Sequence, residues 1–179
     1  MIAGFSMEME MRTMSQRKKR AAFNPESLNL QNYMHPDQFG EMLGYRVSKL
    51  DRKKFKAEAV LKIREDHLSP AIRVHGGVIS AFFDFTFGAA VFTTLGPQDF
   101  CSTVELKVNY LRPLVLGDSL TCKTEVVYRG KRICVVHGFI YRNKEKEPAA
   151  MATATFNIIS KFGQKGDSGI PRTDKARSK

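Results

Sequence analysis

The segment 76–95, GGVISAFFDFTFGAAVFTTL, constrains the fold more than any other part of this chain. It is apolar nearly all round and carries one acid, Asp84, near its centre. About 20 residues could cross a bilayer by length. A carboxylate at mid-span, and amphipathic patterns that resume directly afterwards, argue against that reading. A helix that is apolar on almost every side in a soluble protein has to be enclosed on most of those sides. The enclosing material must come from the flanking sequence.

Those flanks alternate with a period of two, the signature of strands with one dry and one wet face. Residues 45–51 are one such stretch. In the next, Phe55, Ala57, Ala59, Leu61 and Ile63 alternate with Lys54, Lys56, Glu58, Lys62 and Arg64. Four more follow the apolar segment. In 100–111, Val104, Leu106, Val108 and Tyr110 oppose Thr103, Glu105, Lys107 and Asn109. Residues 118–129 repeat the pattern, Arg129-Gly130-Lys131 turns the chain into 133–141, and a charged turn at 143–148 leads into 149–159. Short connections make such neighbours antiparallel. Ahead of them, His35-Pro36-Asp37-Gln38, then Phe39, Met42, Leu43 and Gly44, read as a short helix with a glycine stop. These patterns predict an α+β domain, a curled antiparallel β-sheet wrapped around a long central α-helix.

The length of 179 residues suits one core, and 42% hydrophobic residues with 13 Phe supply its filling. The net charge of +11 would suggest a nucleic-acid partner, but it is concentrated at the ends. Residues 1–22 hold five Lys/Arg against two Glu, and residues 161–179 hold six against two Asp. Residues 1–22 are expected to be a disordered leader, with Met14 as an alternative start, and 161–179 a flexible basic tail. Residues 23–160 form the expected domain. No signal or transit peptide fits, because the cluster Arg17–Arg20 follows the weakly apolar stretch and Glu8 and Glu10 interrupt it. Cys101, Cys122 and Cys134 form no CxxC pair, which fits a reducing cytoplasm rather than a disulfide framework. The four scattered histidines make a structural zinc unlikely. The expectation is a cytoplasmic protein without metal, cofactor, membrane or nucleic-acid partner.

Two features carry chemistry. His75-Gly76-Gly77 opens the apolar helix, where first-turn N–H groups lack intrahelical acceptors and glycine admits another molecule to the backbone. With the helix dipole, this suits an anion or a developing oxyanion. Asp84, flanked by Phe82, Phe83, Phe85 and Phe87, is the other. Burial would raise its pKa toward that of a usable general base. Eight residues of helix separate the two by about 12 Å along the axis, so one small carbonyl cannot touch both. If both act on the same group, one comes from a second copy whose helix runs antiparallel, and the site lies at a two-fold dimer interface.

Three stretches together, His67-Leu-Ser-Pro-Ala-Ile-Arg-Val-His75-Gly76-Gly77, then Asp84, then Thr103-Val-Glu-Leu-Lys-Val-Asn-Tyr-Leu-Arg112-Pro113, resemble the hotdog-fold acyl-CoA thioesterases of the PaaI type. The likeness covers about 36–160. It implies a hotdog fold, a dimer or dimer of dimers, and hydrolysis of coenzyme A thioesters to acid and free thiol. It also implies that Asp84 is base or nucleophile, that the Gly76 amide is the oxyanion hole with His75 shaping the loop, and that Thr103 helps the carboxylate. Two departures stand out: Ser69 where the family often has Asn, and Ile72 where Gly is frequent. Ser69 would then serve the carbonyl or the water with a shorter reach, and Ile72 would reshape the pocket wall.

Coenzyme A carries phosphates, and Arg112 with the turn Arg129-Gly130-Lys131-Arg132 is a reasonable place to meet them. Gly77, Phe82, Phe83 and Phe87 are expected to contact substrate, the phenylalanines as the acyl pocket. His137 reads as a core histidine, His35 as local to the first helix and His67 to its loop, while Cys101 lacks a base. Two rivals remain: an acyl-thioester dehydratase or hydratase pairing His75 or His67 with Asp84, and a non-catalytic acyl-CoA-binding module whose basic arm serves nucleic acid.

Overall fold

The computed structural model describes residues 37–96 and 99–160. The expected leader, His35 and the expected tail lie outside the described residues. The elements run α1 (Gln38–Leu43), β1 (Arg46–Asp51), β2 (Lys56–Lys62), a 3₁₀ turn (Glu65–His67), α2 (Gly76–Phe92), β3 (Asp99–Tyr110), β4 (Ser119–Arg129), β5 (Ile133–Arg142) and β6 (Pro148–Ser160). Every strand falls where period-two alternation predicts one.

α1 is brief because its signals are close together. The Asp37 carboxylate accepts from Gly40 N–H at 2.9 Å and from the Tyr45 hydroxyl at 2.7 Å. Seven residues after Asp37, Gly44 ends the helix at φ 73°, a left-handed turn that glycine enters without a Cβ penalty.

The strands form one antiparallel sheet in the order β1-β2-β4-β5-β6-β3. α2 interrupts the chain between β2 and β3 and lies across the concave face. Its buried positions Ile79, Phe82, Phe83, Thr86, Phe87 and Ala90 recur every three or four residues. They meet the inward residues of the sheet: Ala57, Ala59 and Leu61 of β2, Leu120 and Cys122 of β4, Cys134, Val136 and Ile140 of β5, and Ala152, Ala154 and Phe156 of β6. The alanines of β6 and β2 leave room for the helix's phenylalanines. Gly138 of β5 does so most acutely, because a Cβ there would stand 2.7 Å from Phe87 Cε1 and 2.9 Å from the Lys123 carbonyl oxygen.

His137 is not a core residue. The inward set of β5 is Cys134, Val136, Gly138 and Ile140, so His137 points outward, directly opposite Glu125 of β4. Its Nε2 lies 2.9 Å from Glu125 Oε1, and Lys56 pairs with the same carboxylate. Alternation, rather than the apolar character of its neighbours, decides which face it occupies.

β3 departs from simple alternation. Thr103 pairs with Phe156 and Glu105 with Thr155, so Val104 is an extra residue, a β-bulge. Before it, Cys101 and Thr103 face the helix; after it, Leu106, Val108 and Tyr110 do. Alternation alone puts Thr103 on the wet face with Glu105 and Lys107. The bulge turns it toward α2, although it stays solvent-accessible.

Candidate active site

α2 has a second face, formed by Ala81, Asp84, Phe85 and Gly88, which is turned away from the core and only half buried. These residues, with Asp37, Phe39, Tyr45, Cys101, Thr103 and Phe156, line a cavity of about 330 Å³. Inside it the Thr103 hydroxyl donates to Asp84 Oδ1 at 2.7 Å. A hydroxyl aimed at one carboxylate oxygen orients the group and leaves the other oxygen open to the cavity. The Cys101 thiol shares the space. Its pKa is pushed up to about 11, first by burial and then by Cys134 and Asp84, so it stays protonated at neutral pH and is no nucleophile.

The expected ring of phenylalanines around Asp84 divides in two. Phe82, Phe83 and Phe87 are wholly buried beneath the sheet, and none of them lines this cavity. They turn with Ile79 and Thr86 into the core under the sheet, whereas Asp84 turns with Ala81, Phe85 and Gly88 toward the cavity, Phe87 lying at the boundary one turn beyond Asp84. The aromatic lining comes from Phe85, Tyr45, Phe39 and Phe156 instead. Phe85 and Tyr45 have ring centroids 3.6 Å apart. Phe39, Tyr45 and Phe156 come from elements distant in sequence, and only the closing of the sheet around the helix collects them.

The other half of the site is the start of α2. His75 is its N-cap, and its Nδ1 accepts the Gly77 N–H at 2.9 Å. Gly77 is therefore committed to the cap rather than free for a ligand, and Val78 N–H goes to the His75 carbonyl. Among the described residues no acceptor lies within hydrogen-bond reach of the Gly76 N–H. That amide is the open donor of the first turn, at the positive end of a 17-residue helix. It lines a separate cavity of about 450 Å³ with Arg73, Tyr110, Leu111 and Arg112.

These two cavities share no residue. Gly76 and Asp84, about 12 Å apart along the helix axis, open into different spaces of the same chain. Ser69 lines neither cavity. It closes the tight turn Ser69–Arg73, donating its N–H to the Arg73 carbonyl at 2.7 Å and accepting from Ile72 N–H at 2.9 Å. Ile72 holds the left-handed position of that turn, φ 57°, where a β-branched side chain costs about 1–2 kcal/mol and glycine costs almost nothing. Its side chain is 70% exposed and forms no pocket wall within the protomer.

The basic residues also separate. Arg112 borders the Gly76 cavity but is paired with Glu147 and lies 3.8 Å from Glu145. Arg129 stands at the other end of α2, where its Nε donates to Thr94 Oγ1 at 3.1 Å and its Nη1 to the Gly130 carbonyl. It braces its own turn, and only Lys131 and Arg132 there are left exposed. His67 is buried, its Nδ1 accepting the Arg64 N–H at 3.2 Å, and neither it nor His75 lines the Asp84 cavity. Sequence reasoning missed most of the lining, Arg73, Tyr45 and Tyr110 among it. Arg73 carries no local signal, while Tyr45 and Tyr110 are inward positions of alternating stretches.

Comparison with known proteins is consistent with this geometry. The thioesterase superfamily profile matches residues 73–149. A Saccharolobus solfataricus protein with a provisional esterase name is 32% identical over 125 residues, 69% of this chain and 84% of that one. A solved Ralstonia eutropha structure, provisionally named a thioesterase and phenylacetic acid degradation-related protein, superposes with TM-score 0.62 at 28% identity, over 66% of this chain and 88% of its own. The Escherichia coli PaaI protein of the phenylacetic acid degradation operon shares the fold at TM-score 0.67 and 20% identity, over 74% and 91%.

Proposed function

Because this chain belongs to the thioesterase superfamily with the hotdog fold, we propose that it hydrolyses an acyl-CoA at a composite site shared by two copies of the chain. Hydrolysis of thioesters follows from the family. The coenzyme A carrier, the residues and the dimer are our reading. One observation carries it: a carboxylate oriented by Thr103 and an uncommitted helix-start amide sit on one helix yet open into separate cavities. An antiparallel pairing of two such helices supplies each amide with the other copy's carboxylate.

In this mechanism the thioester carbonyl oxygen rests on the Gly76 N–H of one protomer, which, with the helix dipole, stabilises the oxyanion as it forms. Asp84 of the partner either takes a proton from the attacking water or attacks the carbonyl itself. The C–S bond then breaks, the coenzyme A thiolate leaves and is protonated, and the acid is released. Direct attack adds one step, hydrolysis of an acyl-aspartyl anhydride. Lys131, Arg132 and Arg73 are the exposed cations available to the phosphates. The three free cysteines support a reducing compartment such as the cytoplasm.

The test is thiol release by the purified protein across short, medium, long and aryl acyl-CoAs, with particle mass measured in parallel. Turnover by a dimer or larger particle supports the reading. Enoyl hydration without thiol release, binding without turnover, or an active monomer would each sink it. Within the site, Thr103→Val keeps the shape and removes the donor to Asp84. A hydrogen bond to a charged group accounts for about a tenfold fall in kcat, and Thr103→Ser should restore most of it. A Thr103→Val enzyme with unchanged kcat would remove Thr103 from the mechanism.

A further inference from the structure

Tyr110, at the end of β3, has no part in the reading above, yet its hydroxyl reaches the start of α2. It donates to the Gly76 carbonyl oxygen at 3.2 Å and lies 2.8 Å from Ser80 Oγ, one turn further along the helix. The Gly76 carbonyl belongs to the Gly76–Gly77 peptide, whose N–H donates to His75 Nδ1. That peptide plane is therefore gripped at both ends, by Tyr110 on its oxygen and by His75 on its nitrogen. Two consecutive glycines are otherwise the most mobile start a helix can have, with no Cβ to limit rotation. An oxyanion hole works only when its donor already points to where the charge will develop.

We propose that Tyr110 is a positioning residue of the thioesterase site: its hydroxyl holds the Gly76–Gly77 peptide and so restricts rotation at the Gly76 Cα, the atom that joins it to the preceding peptide bearing the free Gly76 N–H. The proposal rests on the assignment of that amide as the oxyanion hole. The tyrosine ring is also close to the glycine, and a Cβ on Gly76 would stand 3.3 Å from the Tyr110 hydroxyl. The Val104 bulge makes this possible. Thr103 and Tyr110 are seven residues apart, an odd number, and only the extra residue between them lets both face α2. A single edge strand then aims both working groups, the carboxylate through Thr103 and the amide through Tyr110.

The experiment uses Tyr110→Phe, which keeps the ring and removes only the hydroxyl, in the full-length protein. kcat for acyl-CoA hydrolysis should fall about five- to tenfold with KM within twofold of wild type, as expected when a transition-state contact is loosened rather than substrate binding. Amide hydrogen exchange at Gly77, followed by NMR, should quicken in the same variant. Ser80→Ala, which leaves the bond to Gly76 in place, should change kcat by less than twofold. A wild-type kcat in Tyr110→Phe, a change confined to KM, or a lowered kcat with Gly77 exchange unaltered would overturn the proposal and leave the thioesterase reading standing. A wild-type protein that releases no thiol from any acyl-CoA would overturn both.

Discussion

Asp84→Ala is expected to lower thiol release by about 10²–10⁴-fold while the protein stays folded, the usual cost of losing a general base. Asp84→Asn, which keeps the shape and loses the charge, should fall in the same range. Both expectations rest on where the side chain sits. Asp84 is on the half-buried face of α2, away from the sheet, and its carboxylate accepts a hydrogen bond from Thr103. Removing it opens no hole in the core, so Tm should stay within a few degrees of wild type or rise, as often happens when an active-site group is removed. The measurement is kcat and kcat/KM on the best acyl-CoA, with thermal unfolding alongside. An Asp84→Ala enzyme that turns over at the wild-type rate would end the assignment, whatever its stability.

For Phe87→Ala the opposite signature is expected, a loss of about 3–5 kcal/mol of stability with little change in KM per folded molecule. Phe87 is wholly buried, and its ring edge fills the space that Gly138 leaves open on β5. Its neighbour one turn back, Phe83, packs with a ring-centroid separation of 5.4 Å. Truncation removes most of a large apolar side chain and leaves a void that the surrounding sheet, tied by its ladder hydrogen bonds, closes only in part. Urea unfolding reads the effect as a shift in midpoint. A KM increase at unchanged stability would instead return Phe87 to the acyl pocket and contradict its burial.

The pair of predictions separates two phenylalanine-rich neighbourhoods that look alike in sequence. Reading along the chain, Asp84 lies among Phe82, Phe83, Phe85 and Phe87 without distinction. In the folded helix only Phe85 of the four lines the cavity with it. The binary pattern was too apolar to show that division, because a helix enclosed on several sides has no strong polar stripe to orient it. His137 shows a related effect. Its apolar neighbours suggested a core position, but strand position decides burial, and in β5 every second residue, starting from Cys134, is the inward one.

Ser69 and the arginines illustrate another limit. Their residue types suited the chemistry, yet the fold gives Ser69 the base of a tight turn, pairs Arg112 with acids of the β5–β6 hairpin and folds Arg129 onto its own turn. Charge in a sequence does not reveal which partner will neutralise it.

From its residues alone this chain declared an apolar helix, six alternating strands, an acid inside that helix and a glycine pair at its start, because local periodicity and glycine placement are written in nearest neighbours. Tertiary structure alone decided which helix face meets the sheet, which aromatic side chains gather beside the acid, and that Val104 bulges out so that Thr103 and Tyr110 both turn inward. Those outcomes depend on how distant segments share one interior, and a strand's register is settled only when its partner is in place.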